Sequence, residues 1–176
     1  MSTTDARGCS ISGATPAALE AYERALATFQ SWRSGTDMHV ARALQEAPAF
    51  VMAHVLHAYL LLSSRDPRRV RLARPVLERA TRLPANERER LHLAAIAAAL
   101  DDHYERAKTR WSELLRRHPR DTLGLQVAHA FDYITGDLAR MTPARIAHDS
   151  ADEGATCLVH VPRKHPECRG KRGDQR

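Results

Sequence analysis

The chain has 176 residues, of which 27 are lysine or arginine and 21 are aspartate or glutamate, so its formal net charge is +6. Hydrophobic residues make up 43% of the chain, which excludes a fully disordered protein and is enough for one domain with a sizeable core. There is no apolar signal-peptide core near the N-terminus, no run approaching the roughly 20 residues of a membrane span, and no disulfide framework of cysteines. We therefore expect a cytoplasmic protein without membrane segments.

The distribution of apolar residues divides the chain into three parts. Residues 1–13 are polar and predict a flexible lead. Residues 14–140 carry apolar side chains at helical spacing almost without interruption, which predicts a helical repeat domain of about seven helices. Residues 141–176 lose this spacing and become basic, so we expect an irregular, disordered tail.

Helix-start signals place the predicted helices within the middle part. A hydroxyl or carboxylate followed by proline is typical of a helix N-terminus, as at Thr15 and at Asp66. We predict that Asp101 and Asp102 cap the sixth helix, and we find no alternation of period two that would indicate a strand. The seven predicted helices begin near Thr15, Thr36 or Asp37, Pro48, Asp66, Glu87, Asp102 and Asp121.

Three prolines recur at a nearly constant interval. Pro48, Pro84 and Pro119 are 36 and 35 residues apart, and each separates two amphipathic helices. Such a period is typical of repeats built from helix pairs. The alternative is an ordinary alanine-rich helical bundle in which the proline spacing is accidental.

The residues before these prolines follow a pattern of small, large and small or medium side chains. Ala107, Trp111 and Leu114 precede Pro119, and Ala73, Leu77 and Ala80 repeat the pattern before Pro84. A small residue lets two helices approach closely, while a large one fills the space between neighbouring pairs. We therefore predict an all-α fold in which tetratricopeptide-like helical hairpins form a short right-handed superhelix.

Four segments, spread over about two thirds of the chain, resemble the tetratricopeptide repeat protein 38 family. They are AHVLHAYLL at 53–61, ERERLH at 87–92, WSELLRRHPRD at 111–121, and QVAHAFDY at 126–133, which is closed by Gly136 and Asp137. The resemblance implies an all-helical superhelix, no established enzyme activity and a role in binding other proteins. Family members are considerably longer and continue into another helix after this point. We therefore hypothesise that the chain is a truncated or frame-shifted copy.

In a tetratricopeptide superhelix, the first helix of each pair lines a concave groove. The spacing after each proline places Tyr59, Arg88, Gln126 and Tyr133 near that groove, and we predict that they form a partner-binding site. A guanidinium such as that of Arg88 is suited to pairing with a partner's carboxylate. The alternative is that the two tyrosines are core or helix-seam residues.

Two sets of histidines and other polar residues are candidates for binding or catalysis. His54 and His57 share one helix face, as do His129 and Asp132, and together they form a predicted polar cluster. The simpler interpretation is that these histidines make hydrogen bonds where helices pack. The tail offers a weak metal candidate with short spacings, consisting of Cys157, His160, His165 and Cys168.

These patterns favour a non-catalytic helical-repeat scaffold that needs no cofactor and binds a protein or peptide. The exposed end of the repeat stack also predicts self-association. Nucleic acid is not expected as a partner, because acidic and basic residues alternate at 87–90, which is typical of a solvated helix face. The alternative functions are a small zinc- or nucleic-acid-binding protein acting through the basic tail, and an enzyme using the helix histidines.

Overall fold

The computed structural model describes residues 3–64 and 66–137. This part of the chain contains seven helices and one small antiparallel hairpin. The strands are β1 (Thr3–Thr4) and β2 (Ser10–Ile11). The helices are α1 (Pro16–Gln30), α2 (Thr36–Glu46), α3 (Val51–Leu62), α4 (Pro67–Thr81), α5 (Glu87–Leu100), α6 (Tyr104–Arg117) and α7 (Thr122–Ile134). The prediction of an all-helical domain is confirmed for these residues, and none of the helices described is long and apolar enough to cross a membrane.

Local capping chemistry determines where several helices begin. The Thr15 hydroxyl accepts a hydrogen bond from the Ala18 N–H, and the Asp66 carboxylate accepts one from the Arg68 N–H, in each case with proline at the first helical position. At the start of α5, the side chains of Asn86 and Glu89 each accept a hydrogen bond from the other residue's backbone N–H. These bonds satisfy donors that a helix N-terminus would leave unpaired.

The start of α6 differs from its prediction. His103 is the N-cap residue of α6, without a side-chain cap bond. Asp101 instead forms an ion pair with Arg74 at 2.7 Å, and Asp102 accepts a hydrogen bond from the Tyr104 hydroxyl. The two aspartates therefore do not cap α6, because an arginine on α4 and a tyrosine hydroxyl engage their carboxylates.

Consecutive helices pack as antiparallel pairs. The most extensive helix contacts are those within the pairs α1 with α2, α3 with α4, and α5 with α6. Weaker contacts join α2 to α3, α4 to α5, and α6 to α7, so the pairs stack in chain order. This arrangement is consistent with a helical repeat.

The small and large positions of the repeat pattern lie in the core. Ala73 and Ala107 are fully buried in α4 and α6, where each lets a neighbouring helix approach closely. Trp111 is also fully buried, and its ring lies 4.6 Å from that of Phe131 on α7, measured between centroids. The tryptophan therefore fills the space between one helix pair and the next helix, as the pattern predicts.

Helices that are not consecutive in the chain also contact one another. The first helix, α1, contacts both α3 and α7, and α3 contacts α5. The Gln126 side chain on α7 donates a hydrogen bond to the Phe29 carbonyl at the end of α1, at 3.2 Å. The first and last of the helices described are therefore in contact.

The N-terminal residues form a hairpin where the sequence predicted a flexible lead and no strands. Thr3 pairs with Ile11 and Thr4 with Ser10 in antiparallel register. Ile11 is buried in the core cluster, and the Ser12 N–H donates a hydrogen bond to Glu89 on α5. Strands of two residues are too short to show a detectable alternation of apolar and polar side chains. Their formation depends on the helices against which they pack.

Candidate functional site

A chain of buried polar side chains crosses the centre of the helix stack. The Trp111 indole N–H donates to the Tyr59 hydroxyl at 2.9 Å, and that hydroxyl lies 2.9 Å from Nδ1 of His92. On the other side of the ring, His92 Nε2 lies 2.7 Å from Oδ2 of Asp121, which also accepts a hydrogen bond from Arg88 Nε at 2.6 Å. We call these five residues the buried polar network. It joins α3, α5, α6 and the N-terminus of α7.

The hydrogen bonds of the network determine where its protons lie. The Tyr59 oxygen accepts from Trp111, so its single proton is free to be donated to His92 Nδ1. Nδ1 is then the acceptor nitrogen of the ring, and His92 carries its proton on Nε2, which donates to Asp121. In this assignment each hydrogen bond from Trp111 to Asp121 has one donor and one acceptor.

The Asp121 carboxylate is the negative centre of the network. Its Oδ1 accepts a hydrogen bond from the Gly124 N–H at 2.8 Å, which makes Asp121 the N-cap residue of α7. Burial on its own would raise the pKa of Asp121, but the interactions of the carboxylate with His92 and Arg88 outweigh it. They hold the pKa of the carboxyl below its ordinary value, so Asp121 is ionised at neutral pH.

Arg88 links this carboxylate to the N-terminal hairpin. Its Nη1 lies 3.3 Å from Oδ2 of Asp5, which forms an ion pair, and it also donates to the Ser10 carbonyl at 3.4 Å. Burial opposes the charge of Arg88, but Asp121 outweighs it and raises the pKa of the guanidinium above its ordinary value. The charge of Arg88 is therefore compensated from two parts of the chain at once.

The ion pairs continue from the hairpin to α1. Asp5 also forms an ion pair with Arg7 at 3.3 Å, and Arg7 donates two hydrogen bonds to the Glu23 carboxylate at 2.7 and 2.9 Å. The other oxygen of Asp5 accepts the backbone N–H groups of Arg7 and Cys9. The hairpin is thus held by charge on both α1 and α5.

The buried polar network stabilises the packing of the helices. Tyr59, His92 and Asp121 are all completely buried. Burial raises the pKa of the Tyr59 hydroxyl, so the phenol stays protonated at neutral pH and offers no nucleophilic phenolate. Fully satisfied polar networks of this kind favour one packing arrangement of the helices over others.

The four predicted groove residues do not form one open surface. Tyr59 and Arg88 are buried and make their hydrogen bonds and ion pairs inside the protein. Gln126 is half-buried and bonds to α1, whereas Tyr133 is exposed. Their role in binding a partner stays a prediction.

The predicted polar cluster is spread over two helices. On α3, His54 is buried and its Nε2 lies 2.9 Å from the Pro48 carbonyl, to which it donates, while His57 is half-buried. Burial lowers the pKa of both histidines. His129 and Asp132 lie on α7. In residues 3–64 and 66–137, no three or more histidine, cysteine, aspartate or glutamate side chains come together in a group that could hold a metal ion.

His54 thus bonds to the loop that precedes its own helix. The tail candidate, which consists of Cys157, His160, His165 and Cys168, lies outside the described residues, as does the predicted irregular tail at 141–176. Both stay predictions.

Several residues of the site were missed by sequence reasoning. Residues 87–90 were interpreted as a solvated face, but Arg88 and Glu89 are buried. The spacing of Asn86 and Glu89 is a capping-box signal that points Glu89 back towards the helix N-terminus. No comparable local signal marks Asp5 or His92, since their partners lie far away in the chain.

The comparisons with known proteins do not assign a family. No protein-family model matches the chain, and no solved structure matches it either.

Proposed function

We propose that this protein is a non-catalytic helical-repeat scaffold that binds other proteins, built from tetratricopeptide-like hairpins in a short right-handed superhelix. The observation that carries this proposal is the stacking of three consecutive helix pairs, with buried small and large residues at the repeat positions. The segments that resemble the tetratricopeptide repeat protein 38 family support the same conclusion. A cytoplasmic location remains a prediction.

The end of the stack at α7 is the surface that we assign to a partner. Each earlier odd-numbered helix packs against the helix that follows it, whereas α7 has no following helix among the residues described. Tyr133 is 66% exposed and Ile134 is 50% exposed near the end of this helix. Large apolar side chains at an open repeat end favour association with another helix.

The partner that we propose for this surface is a second copy of the chain. Two α7 helices related by a two-fold axis would each supply the packing partner that the other lacks, because such an interface uses the same patch on both copies. Tyr104, which is 41% exposed at the start of α6, has its ring 6.3 Å from that of Phe131 on α7, measured between centroids. It adds a third large side chain at this end of the stack.

Sedimentation velocity of the full chain over a range of concentrations tests the proposal. We expect the wild type to form dimers and a variant with Tyr133→Ser and Ile134→Ser to stay monomeric. The matched control is Leu72→Ser on α4, a comparably exposed apolar residue, which should dimerise like the wild type. A wild type that is monomeric at every concentration, or a double variant that dimerises normally, would contradict the assigned surface.

A further inference from the structure

Besides its ion pairs, the N-terminal hairpin is held to the helices through its backbone. The Ser10 carbonyl accepts hydrogen bonds from Asn86 Nδ2 at 3.0 Å and from Arg88 Nη1 at 3.4 Å. The Ser12 N–H donates to Glu89 Oε1 at 2.8 Å. Side chains at the start of α5 therefore contact main-chain groups of an extended segment, irrespective of that segment's own side chains at residues 10 and 12.

A backbone group of α3 completes this arrangement. The Val51 N–H donates to the Ser12 carbonyl at 3.2 Å, so both main-chain groups of Ser12 are bonded to helices. Asp5 is the buried charged side chain among the hairpin residues 3–13, and it forms the ion pair with Arg88. The helices thus present side-chain donors on Asn86 and Arg88, a side-chain acceptor on Glu89 and the main-chain N–H of Val51.

The hairpin buries few apolar side chains. Its strands have two residues each, and among residues 3–13 only Asp5 and Ile11 are buried. Isolated two-stranded hairpins are marginal in water, and segments with few buried apolar contacts open at a lower free energy than the core. We therefore expect the hairpin to open at a lower free energy than the helix stack.

We propose that Asn86, Arg88 and Glu89, with the N–H of Val51, form a binding site for an extended peptide that places one carboxylate opposite Arg88, and that the N-terminal hairpin fills this site in cis. A peptide that binds in trans must displace the hairpin and place a carboxylate where Asp5 lies. Arg88 keeps its bond to Asp121 while the site is open, so its charge is never left without a partner. The hairpin therefore acts as an autoinhibitory segment.

This inference deepens the proposed scaffold function, because it names a second kind of partner. It is distinguishable from the α7 surface by its variants. Asp5→Asn should leave sedimentation unchanged, and the Tyr133→Ser, Ile134→Ser variant should leave peptide binding unchanged.

Hydrogen exchange of the full chain tests whether the hairpin opens. Asp5→Asn keeps an oxygen for the N–H groups of Arg7 and Cys9 but removes the charge that faces Arg88. We expect the Cys9 and Ser12 amides of the wild type to exchange at least tenfold faster than the amides within α3. Asp5→Asn should accelerate them at least tenfold further without affecting α3, and Thr4→Ala, at an exposed position, should not. Hairpin amides that exchange together with α3 in both proteins would overturn the proposal.

Binding of a labelled peptide tests the site itself. The probe is a fluorescein-labelled peptide of residues 3–12, whose binding to the full chain is followed by fluorescence anisotropy. We expect the Asp5→Asn chain to bind it at least tenfold more tightly than the wild-type or Thr4→Ala chain does, because its own hairpin competes less well. The same peptide carrying Asp5→Asn should bind at least tenfold more weakly. No binding to the Asp5→Asn chain, or equal binding of the two peptides, would overturn the assignment.

Discussion

Trp111 on α6 donates its indole N–H to the hydroxyl of Tyr59 on α3, at 2.9 Å, between residues 52 positions apart in the chain. Both side chains are fully buried, so neither can replace this bond with one to solvent. The Tyr59 hydroxyl is also hydrogen-bonded to His92, and the other ring nitrogen of His92 is bonded to Asp121 at the start of α7. The helix pairs are thus joined by directional bonds as well as by apolar packing, and each bond can be tested separately.

Removal of the Tyr59 hydroxyl should destabilise the protein. Tyr59→Phe leaves the Trp111 N–H and His92 Nδ1 buried without their partner, which costs about 1–3 kcal/mol of unfolding free energy. Tyr22→Phe is the matched control, since Tyr22 is equally buried and its hydroxyl has no hydrogen-bond partner in the described structure. Urea denaturation should show a clear loss for Tyr59→Phe and little change or a gain for Tyr22→Phe. Equal effects of the two substitutions would contradict a role for the hydroxyl bonds.

Neutralisation of Asp121 should be more costly than neutralisation of an ordinary helix cap. Asp121→Asn keeps an oxygen for the Gly124 N–H but removes the charge that Arg88 faces, and loss of one partner of a buried ion pair costs about 3 kcal/mol or more. Asp66→Asn is the control, because Asp66 is an exposed cap without an ion pair to any residue that the structure describes, and asparagine caps equally well. Urea denaturation at pH 7 measures both. The interpretation fails if the two variants lose the same stability.

Asp121 should also make the fold sensitive to acid. Its pKa in the folded state is held below the ordinary value, so the unfolded chain takes up a proton there while the folded chain does not. The stability that it contributes is therefore complete above the unfolded pKa of about 4 and is lost as the pH falls through the folded pKa. We expect the unfolding free energy of the wild type to decline below about pH 4, and that of Asp121→Asn to decline less. An identical decline in the two proteins would exclude Asp121 as its source.

His54 should contribute a second pH dependence near neutrality. Burial lowers its pKa below the ordinary value of about 6.5, so in this range the unfolded chain binds a proton that the folded chain does not. Stability is therefore complete above the unfolded pKa and is lost as the pH falls from there to the folded pKa. His54→Gln keeps a donor for the Pro48 carbonyl but does not titrate, so it should lose less stability between pH 7.5 and 5.5. Thermal unfolding at each pH measures this, and an unchanged pH dependence in His54→Gln would contradict the assignment.

Gly13 should be essential for the connection between the hairpin and α1. It has a φ of +76°, and a Cβ added there would lie 2.0 Å from the Ala49 carbonyl oxygen. Gly35 has a φ of +96° with nothing within 4 Å of such a Cβ, so Gly35→Ala measures the backbone strain alone. That strain costs about 1–2 kcal/mol, and Gly13→Ala should cost more because the clash adds to it. Thermal unfolding of the two variants gives the comparison, and equal melting temperatures would argue against the close approach.

The start of α5 shows how far sequence reasoning could reach. The prediction of a helix from Glu87 to Leu100 is confirmed at both ends. The same segment was predicted to be a solvated face, which is correct for Arg90 and wrong for Arg88 and Glu89. The periodicity of a helix indicates which residues share a face, but it does not indicate whether a distant segment covers that face.

The N-terminal hairpin shows a second limit of sequence reasoning. Its residues are short of apolar side chains, and composition alone predicts a flexible lead. In the structure they are placed by Glu23, Val51 and Glu89, which belong to three different helices. A segment stabilised mainly by such remote polar contacts leaves no local signal in its own sequence.

The sequence by itself determined the helices, because a cap such as Thr15 and a proline such as Pro67 act on neighbours within a single turn. It also determined the small and large positions at which helices pack, since these follow the helical period. The tertiary structure alone decided that Arg88, His92 and Asp121 meet in the interior, and that Asp5 joins them. Burial and charge compensation depend on segments about 30 to 80 residues apart in the chain, and only the folded arrangement of the helices brings those segments together.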